Sequence, residues 1–154
     1  MVNNFIILGG AGFIGINLIL HLSKYNNINI ILVDNFQESF NLREVKNILK
    51  ENKIFLKSIV FIKSDISNVG KYSKYLNKNS YLVHLAAMPG IDYSTKHPYE
   101  SINQNLFKFI KILEICREKK IKKIILASSN AVLGESSYKT NENDKINPIS
   151  IYGS

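Results

Sequence analysis

"LGGAGFIG", residues Leu8 to Gly15, is the stretch on which the reading of this chain turns. Gly9, Gly12 and Gly15 repeat at a fixed spacing, and Gly10 and Ala11 keep the turn between them small. Glycine costs entropy on folding, so such a cluster marks a backbone that must turn tightly or let something approach closely. Val2–Leu8, just before it, is a short apolar run that reads as a buried strand. Just after it, Ile14, Leu18 and Leu22 mark one face of a helix. Between a strand and a helix, a backbone without side chains can meet a pyrophosphate, helped by the free N–H groups and partial positive charge of the helix start. The alternative is a tight turn with no ligand.

The rest of the chain repeats the alternation. Asn29–Val33, Ser58–Ile62, Tyr81–Leu85 and Lys123–Ala127 read as strands. Gly12 onward, Leu42–Lys50, a short Val69–Leu76 and a long Tyr99–Glu118 read as helices. Continuous apolar strands joined by helical crossovers predict an α/β fold with a doubly wound parallel sheet, a Rossmann fold of about five strands in a single domain over 1–154. In the long helix, Leu106, Phe109, Ile110, Leu113 and Cys116 fall on one broad apolar face, which suits either deep burial or a subunit interface.

Composition narrows the class. With 154 residues, 45% apolar and 21% charged, the chain is long enough for a core and ordinary for a globular protein. The net charge of +8 comes from lysines scattered along the sequence, and no nucleic-acid-binding signature accompanies it. Cys116 is the only cysteine, which excludes a disulfide framework and fits a reducing compartment. No signal peptide or apolar run of membrane-spanning length is evident, so a cytoplasmic protein without a membrane partner is expected. His21, His84 and His97 lack metal-ligand spacing, and no metal site is assigned.

Asp34 closes the second strand. A carboxylate there can accept hydrogen bonds from the hydroxyls of an adenosine ribose and would repel a 2′-phosphate. No arginine stands in the glycine loop or just after Asp34 to receive such a phosphate, so NAD is expected over NADP.

With these residues in place, the chain resembles the extended short-chain dehydrogenases/reductases, and among them the NAD-dependent nucleotide-sugar epimerases and dehydratases. The resemblance runs from Val2 to Ser154. It is carried by "GGAGFIG", "VDNF" at Val33–Phe36, "DI" at Asp65–Ile66, "HLAA" at His84–Ala87, "NQNL" at Asn103–Leu106, "ASSNAVLG" at Ala127–Gly134 and "PISIYGS" at Pro148–Ser154. It implies that Gly9, Gly12, Phe13, Ile14 and Gly15 lie by the pyrophosphate. Asp34 and Asn35 would hold the ribose, Asp65 the adenine amino group and Ile66 the ring. Leu85, Ala86 and Ala87 would line the middle of the cofactor, and Asn105 would anchor the long helix near the site.

The resemblance also implies chemistry. Sugar epimerases of this kind remove a hydride from a carbon and a proton from its hydroxyl, then return the hydride to the other face. A tyrosine with its ordinary pKa of about 10 is too little ionised for the proton step, so the family pairs it with a lysine four residues on and with a Ser or Thr. Ser129 fits the latter and Tyr152 the tyrosine, while the sequence reaches only Ser154. The lysine position and the family's sugar-binding region fall past it, so the chain is expected to be either a fragment or a truncated remnant, the fold being truncated before the substrate-binding region. Asn130–Ala131 stand where the family's dehydratases carry two acids, which favours a UDP-hexose 4-epimerase. A dehydratase, decarboxylase or reductase on a similar nucleotide sugar, or a non-catalytic NAD-binding module, is the alternative. A homodimer is expected of the full-length form.

Overall fold

A computed structural model describes residues 2–135 and 139–154. By contact density it divides into two compact units, Met1–Ala86 with Ile110–Leu126, and Ala87–Phe109 with Ala127–Ser154.

The first unit is built on a five-stranded parallel sheet: β1 (Asn3–Leu8), β2 (Ile28–Asp34), β3 (Ile59–Lys63), β4 (Ser80–His84) and β5 (Lys123–Leu126). Their order is β3-β2-β1-β4-β5. Leu8 pairs with both Val33 and His84, so the C-terminal ends of the three central strands lie level. The chain moves outward from β1 to β3, then returns to the other side of β1 for β4. In such sheets that reversal opens a crevice at the carboxyl ends of the strands. The doubly wound parallel sheet expected from the sequence is the one observed.

Alternation along the strands divides the core in two, because successive side chains leave a strand on opposite faces. Ile7, Ile30 and Leu32 face α1 (Phe13–Leu22) and α2 (Leu42–Glu51), packing with Ile19, Val45 and Leu49. Ile6, Leu8, Ile31 and Val33 pack on the other side with Tyr72, Leu76, Ile112 and Cys116. Each such apolar side chain contributes about 1.5–3 kcal/mol by leaving water. Burial on both faces explains the unbroken apolar runs of β1, β2 and β4.

Two helix expectations are corrected. Val69–Leu76 forms two short 3₁₀ turns, Val69–Lys71 and Ser73–Tyr75, and not a helix. Gly70 sits inside the first, and so short a piece has little to offset the cost of helix nucleation. The long helix consists of α4 (Pro98–Ile102), a π-helical turn Asn103–Phe107, and α5 (Lys108–Glu118). Its apolar residues divide between two faces. Ile112 and Cys116 are buried with Ile115 packed beside them, while Leu106, Ile110 and Leu113 of the expected face are exposed. Of the two alternatives left open for that face, deep burial therefore holds for Cys116 alone.

The second unit holds α3 (Ile91–Lys96), which the sequence pattern did not announce, α4, the π turn and the chain from Ala127. Among its described residues, the buried side chains are the hydroxyls of Ser94 and Ser101. Among the described residues, no helix is long and apolar enough to cross a membrane.

Candidate functional site

In the first unit the glycines serve different ends. Gly9 has φ +78°, and a Cβ on it would lie 2.6 Å from the Ala86 amide nitrogen. A Cβ on Gly15 would lie 2.6 Å from the Gly10 carbonyl oxygen. Packing alone therefore demands both. Gly12 is different: a Cβ there would meet only the Gly9 carbonyl oxygen, at the ordinary distance of 3.5 Å, and its backbone is extended. Nothing in the protein needs that position bare. Open space above a glycine at the head of a helix is what a closely approaching ligand requires. The helix fits an anion as well, since α1 begins at Gly12 without a side-chain cap and without an acidic residue in its first turn.

Asp34 is buried at the end of β2 and does more than the sequence indicated. One carboxylate oxygen accepts the Ala11 amide at 3.0 Å, the other the Phe36 amide at 2.8 Å. The side chain thus fastens the glycine loop to the turn after β2, where Phe36 adopts the left-handed φ of 59°. Each oxygen keeps a second lone pair for a further donor. Asn35 is half-buried beside it and accepts the Gln37 amide at 3.0 Å. Asp65, past the end of β3, accepts both the amide and the hydroxyl of Ser67, at 2.8 and 2.7 Å. Ile66 packs partly on the core below. Leu85 donates its amide to the Leu8 carbonyl at 2.9 Å, which carries the β4 strand end to Ala86 beside Gly9. Phe13 and Ile14 are exposed at the start of α1.

These residues stand at the C-terminal ends of β1 to β4, and all belong to one unit. The donors, the bare approach at Gly12 and the acceptor pair on Asp34 fit the diphosphate and ribose of a dinucleotide. Two groups are excluded from the chemistry. Burial lowers the His84 imidazole to about 4, so it is neutral within the strand. Burial pushes the Cys116 thiol up to about 11, leaving it far from a reactive thiolate. Among the described residues, no cluster of three or more His, Cys, Asp or Glu side chains could hold a metal.

The second unit carries Ala87, Asn105, Ser129 and Tyr152. Asn105, in the π turn, accepts the Met88 amide at 2.7 Å and donates to the Met88 carbonyl at 3.0 Å. It thereby pins the segment just past the exposed Ala87, and an irregular helical turn carries the side chain that does so. Ser129 accepts the Ala131 amide at 3.2 Å, capping the 3₁₀ turn Asn130–Leu133. The backbone of that turn meets the Tyr152 loop, since a Cβ on Gly153 would collide with the Ala131 carbonyl. The Val132 carbonyl accepts the Asn147 amide at 3.0 Å. The fold therefore brings the Ser129 turn and the Tyr152 loop against one another. Ser94, unremarked in the sequence, accepts the Tyr152 amide at 3.2 Å and donates to the Ile91 carbonyl at 2.8 Å. No local pattern could have revealed it, because its partner lies far along the chain.

The sheet order, the glycine turn and the acid at the end of β2 define a Rossmann-type α/β domain. A family model described as GDP-mannose 4,6 dehydratase matches residues 6–154, and the chain belongs to this family of NAD-dependent nucleotide-sugar epimerases and dehydratases. It is 35% identical to the uncharacterized UDP-glucose epimerase YtcB of Bacillus subtilis over 96% of this chain and 46% of that one. It is similar to the UDP-N-acetylglucosamine 4-epimerase of Methanobrevibacter ruminantium, solved with UDP-N-acetylmuramic acid. The TM-score is 0.80 and the identity 27%, over 99% of this chain and 47% of that one. The UDP-glucuronic acid 4-epimerase of Bacillus cereus, solved with UDP-glucuronic acid and NAD, gives a TM-score of 0.80 at 29% identity, over 97% and 48%. The chain spans about half the length of these relatives.

Proposed function

We propose that the whole protein is an NAD-dependent nucleotide-sugar epimerase, and that its reaction is 4-epimerisation of a UDP-hexose. The observation that carries the cofactor assignment is Gly12, where a Cβ would meet only the Gly9 carbonyl oxygen at an ordinary 3.5 Å, at the uncapped start of α1 and next to the Ala11 amide that Asp34 holds. Gly9, Gly10 and Gly15 of the same loop are accounted for by packing, and Gly12 by a ligand. Gly9, Gly12, Gly15, Phe13 and Ile14 receive the diphosphate through the backbone. Asp34 and Asn35 take the ribose, Asp65 and Ile66 the adenine, and Leu85, Ala86, Ala87 and Asn105 complete the cofactor's surroundings. The chemistry that NAD supplies is reversible acceptance of a hydride from the sugar carbon.

The protein's own part is the proton at the sugar hydroxyl. Tyr152 removes and returns it, and Ser129 hydrogen-bonds the same hydroxyl. The absence of acids at Asn130 and Ala131 favours epimerisation over loss of water, because elimination needs an acid for the departing hydroxyl. The family's dehydratases keep that second reaction as the alternative. We further propose a homodimer, supported by the exposure of Ile110 and Leu113 on α5.

The test is an enzyme-coupled assay on the full-length protein with UDP-glucose and UDP-galactose, run beside a dehydratase assay for the 4-keto-6-deoxy product. Interconversion without the keto product is expected. A keto product, or neither activity in protein that retains NAD, overturns the epimerase assignment. Light scattering on the same sample reads the oligomeric state.

A further inference from the structure

Tyr72 is the bulkiest of the fully buried side chains, set among Ile6, Ile31, Val33 and Ile112 on one face of the sheet. A phenylalanine would fill the same volume. A buried hydroxyl costs free energy unless it finds a partner. Here it has one: the phenol donates to the Ile66 carbonyl at 2.6 Å, reaching back from the 3₁₀ turns to the loop after β3. That loop is short and closed on itself. The Asp65 carbonyl accepts the Asn68 amide at 3.1 Å, and the Val69 carbonyl accepts the Tyr72 amide at 3.0 Å. The Tyr72 hydroxyl adds a rigid strut from the core to its middle. Burial, with the Cys116 thiol and the Asp65 carboxylate nearby, pushes the phenol further up from its ordinary range, so it is a protonated donor at neutral pH.

We propose that Tyr72 is a positioning residue for base recognition: its hydrogen bond to Ile66 holds the Asp65–Ile66 loop at the height where Asp65 selects a purine bearing an exocyclic amino group. This rests on the reading of Asp65 as the adenine partner. The phenol itself never meets the cofactor. It acts through the carbonyl of the residue that follows Asp65, and its loss frees the loop without emptying the core.

The experiment compares NAD with nicotinamide hypoxanthine dinucleotide, which carries an oxygen in place of the amino group. Titration calorimetry on full-length protein freed of cofactor gives the ratio of the two affinities for wild type, Y72F and D65N. A charge-assisted hydrogen bond gained by NAD alone should make the wild-type ratio about tenfold or more. D65N should collapse that ratio, since an amide can also donate to the hypoxanthine oxygen. Y72F should narrow it by about two- to tenfold, the worth of one neutral hydrogen bond. Amide exchange in the Ser67–Asn68 segment of the cofactor-free protein should speed up with it. A purely structural tyrosine would lower the melting temperature and leave the ratio alone. A ratio collapsed by D65N and unmoved by Y72F overturns the role of Tyr72 and leaves the adenine assignment standing. A ratio unmoved by D65N overturns the assignment itself, and the role of Tyr72 with it.

Discussion

The two units of this chain are held together by different physics. Every buried apolar side chain described lies in Met1–Ala86 or Ile110–Leu126, on one or other face of the sheet. Ala87–Phe109 and Ala127–Ser154 bury Ser94 and Ser101 and are tied by side-chain-to-backbone hydrogen bonds at Asn105, Ser94 and Ser129. A net hydrogen bond contributes about 1 kcal/mol, against about 1.5–3 for each buried leucine or isoleucine. The first unit therefore has a stable frame that can present a preformed cofactor surface. The second consists of short helices and loops placed by a few directional contacts.

The largest effect should come from the second unit. Tyr152→Phe in the full-length protein removes the proposed base and should cut epimerisation by about 10²–10⁴-fold. The variant keeps the Tyr152 amide bond to Ser94 and leaves the cofactor surface of the first unit untouched. NAD content after purification should match wild type, measured by release and absorbance. Turnover near the wild-type rate would mean that another group moves the proton. Lost turnover together with lost NAD would mean that the separation of binding from chemistry fails.

The same contrast explains what was legible in the sequence. The strands could be read to within a residue or two because alternation and apolar runs record burial on two faces, as at Ile6–Leu8 and Ile30–Val33. The glycine turn and Asp34 were legible because they follow directly on those strands. The Asp34 bonds to Ala11 and Phe36 were not, since a carboxylate's backbone partners leave no trace in composition. The second unit left still less. α3, "IDYSTK", has no apolar period and starts from Gly90 without a side-chain cap. Ser94 and Tyr152 lie 58 positions apart, and their contact depends on the fold alone. An anchoring role for Asn105 was implied only by the family resemblance, and the π turn that carries it left no pattern in the sequence.

Next in size is Asp34. Because both its oxygens already hold backbone amides, Asp34→Ala should do two things where a simple ribose ligand would do one. Loss of a charged hydrogen bond costs about 1.5–3 kcal/mol in NAD affinity. The glycine loop should also lose its tether to the β2 end, lowering the melting temperature of the cofactor-free protein. Calorimetric titration with NAD and NADP reads the first effect and a thermal melt the second. Wild type binding NADP as tightly as NAD would remove the basis of the cofactor assignment. An unchanged melt would show that the amides of Ala11 and Phe36 find other acceptors.

A third prediction tests the apolar frame through pH. His84 is held neutral in the folded state by burial, with its pKa lowered to about 4. The unfolded chain takes up a proton near pH 6.5. Below that value the unfolded state binds more protons than the folded one, so this contribution to stability is full above pH 6.5. It drains away as the pH falls towards 4. Between pH 7.5 and pH 5 the loss should be about 2 kcal/mol. Urea melts of wild type and His84→Leu at the two pH values isolate it, because the variant should lose that part of the slope. Equal slopes would mean that the imidazole is protonated in the fold as readily as outside it.

The smallest effect, and the sharpest test of the contrast, is at Asn105. Its side chain accepts the Met88 amide and donates to the Met88 carbonyl, so Asn105→Ala removes both bonds to Met88, with a longer one to the Ser101 hydroxyl at 3.5 Å, and leaves both Met88 backbone groups to find other partners. At about 1 kcal/mol for each bond, the opening of the segment around Met88 should become roughly ten- to thirtyfold easier. The sheet should not feel it. Ile6, Ile31 and Leu82 are fully buried, and their amides belong to a parallel ladder with core on both faces. Their exchange is governed by global unfolding, which a contact outside that core barely touches. Hydrogen exchange read by mass spectrometry, with one peptide over Met88 and another over β1, measures both in one experiment. Faster exchange confined to the first peptide is expected. Equal acceleration in β1 would mean that Asn105 supports the frame itself, and the division between an area-stabilised unit and a bond-stabilised one would have to be abandoned.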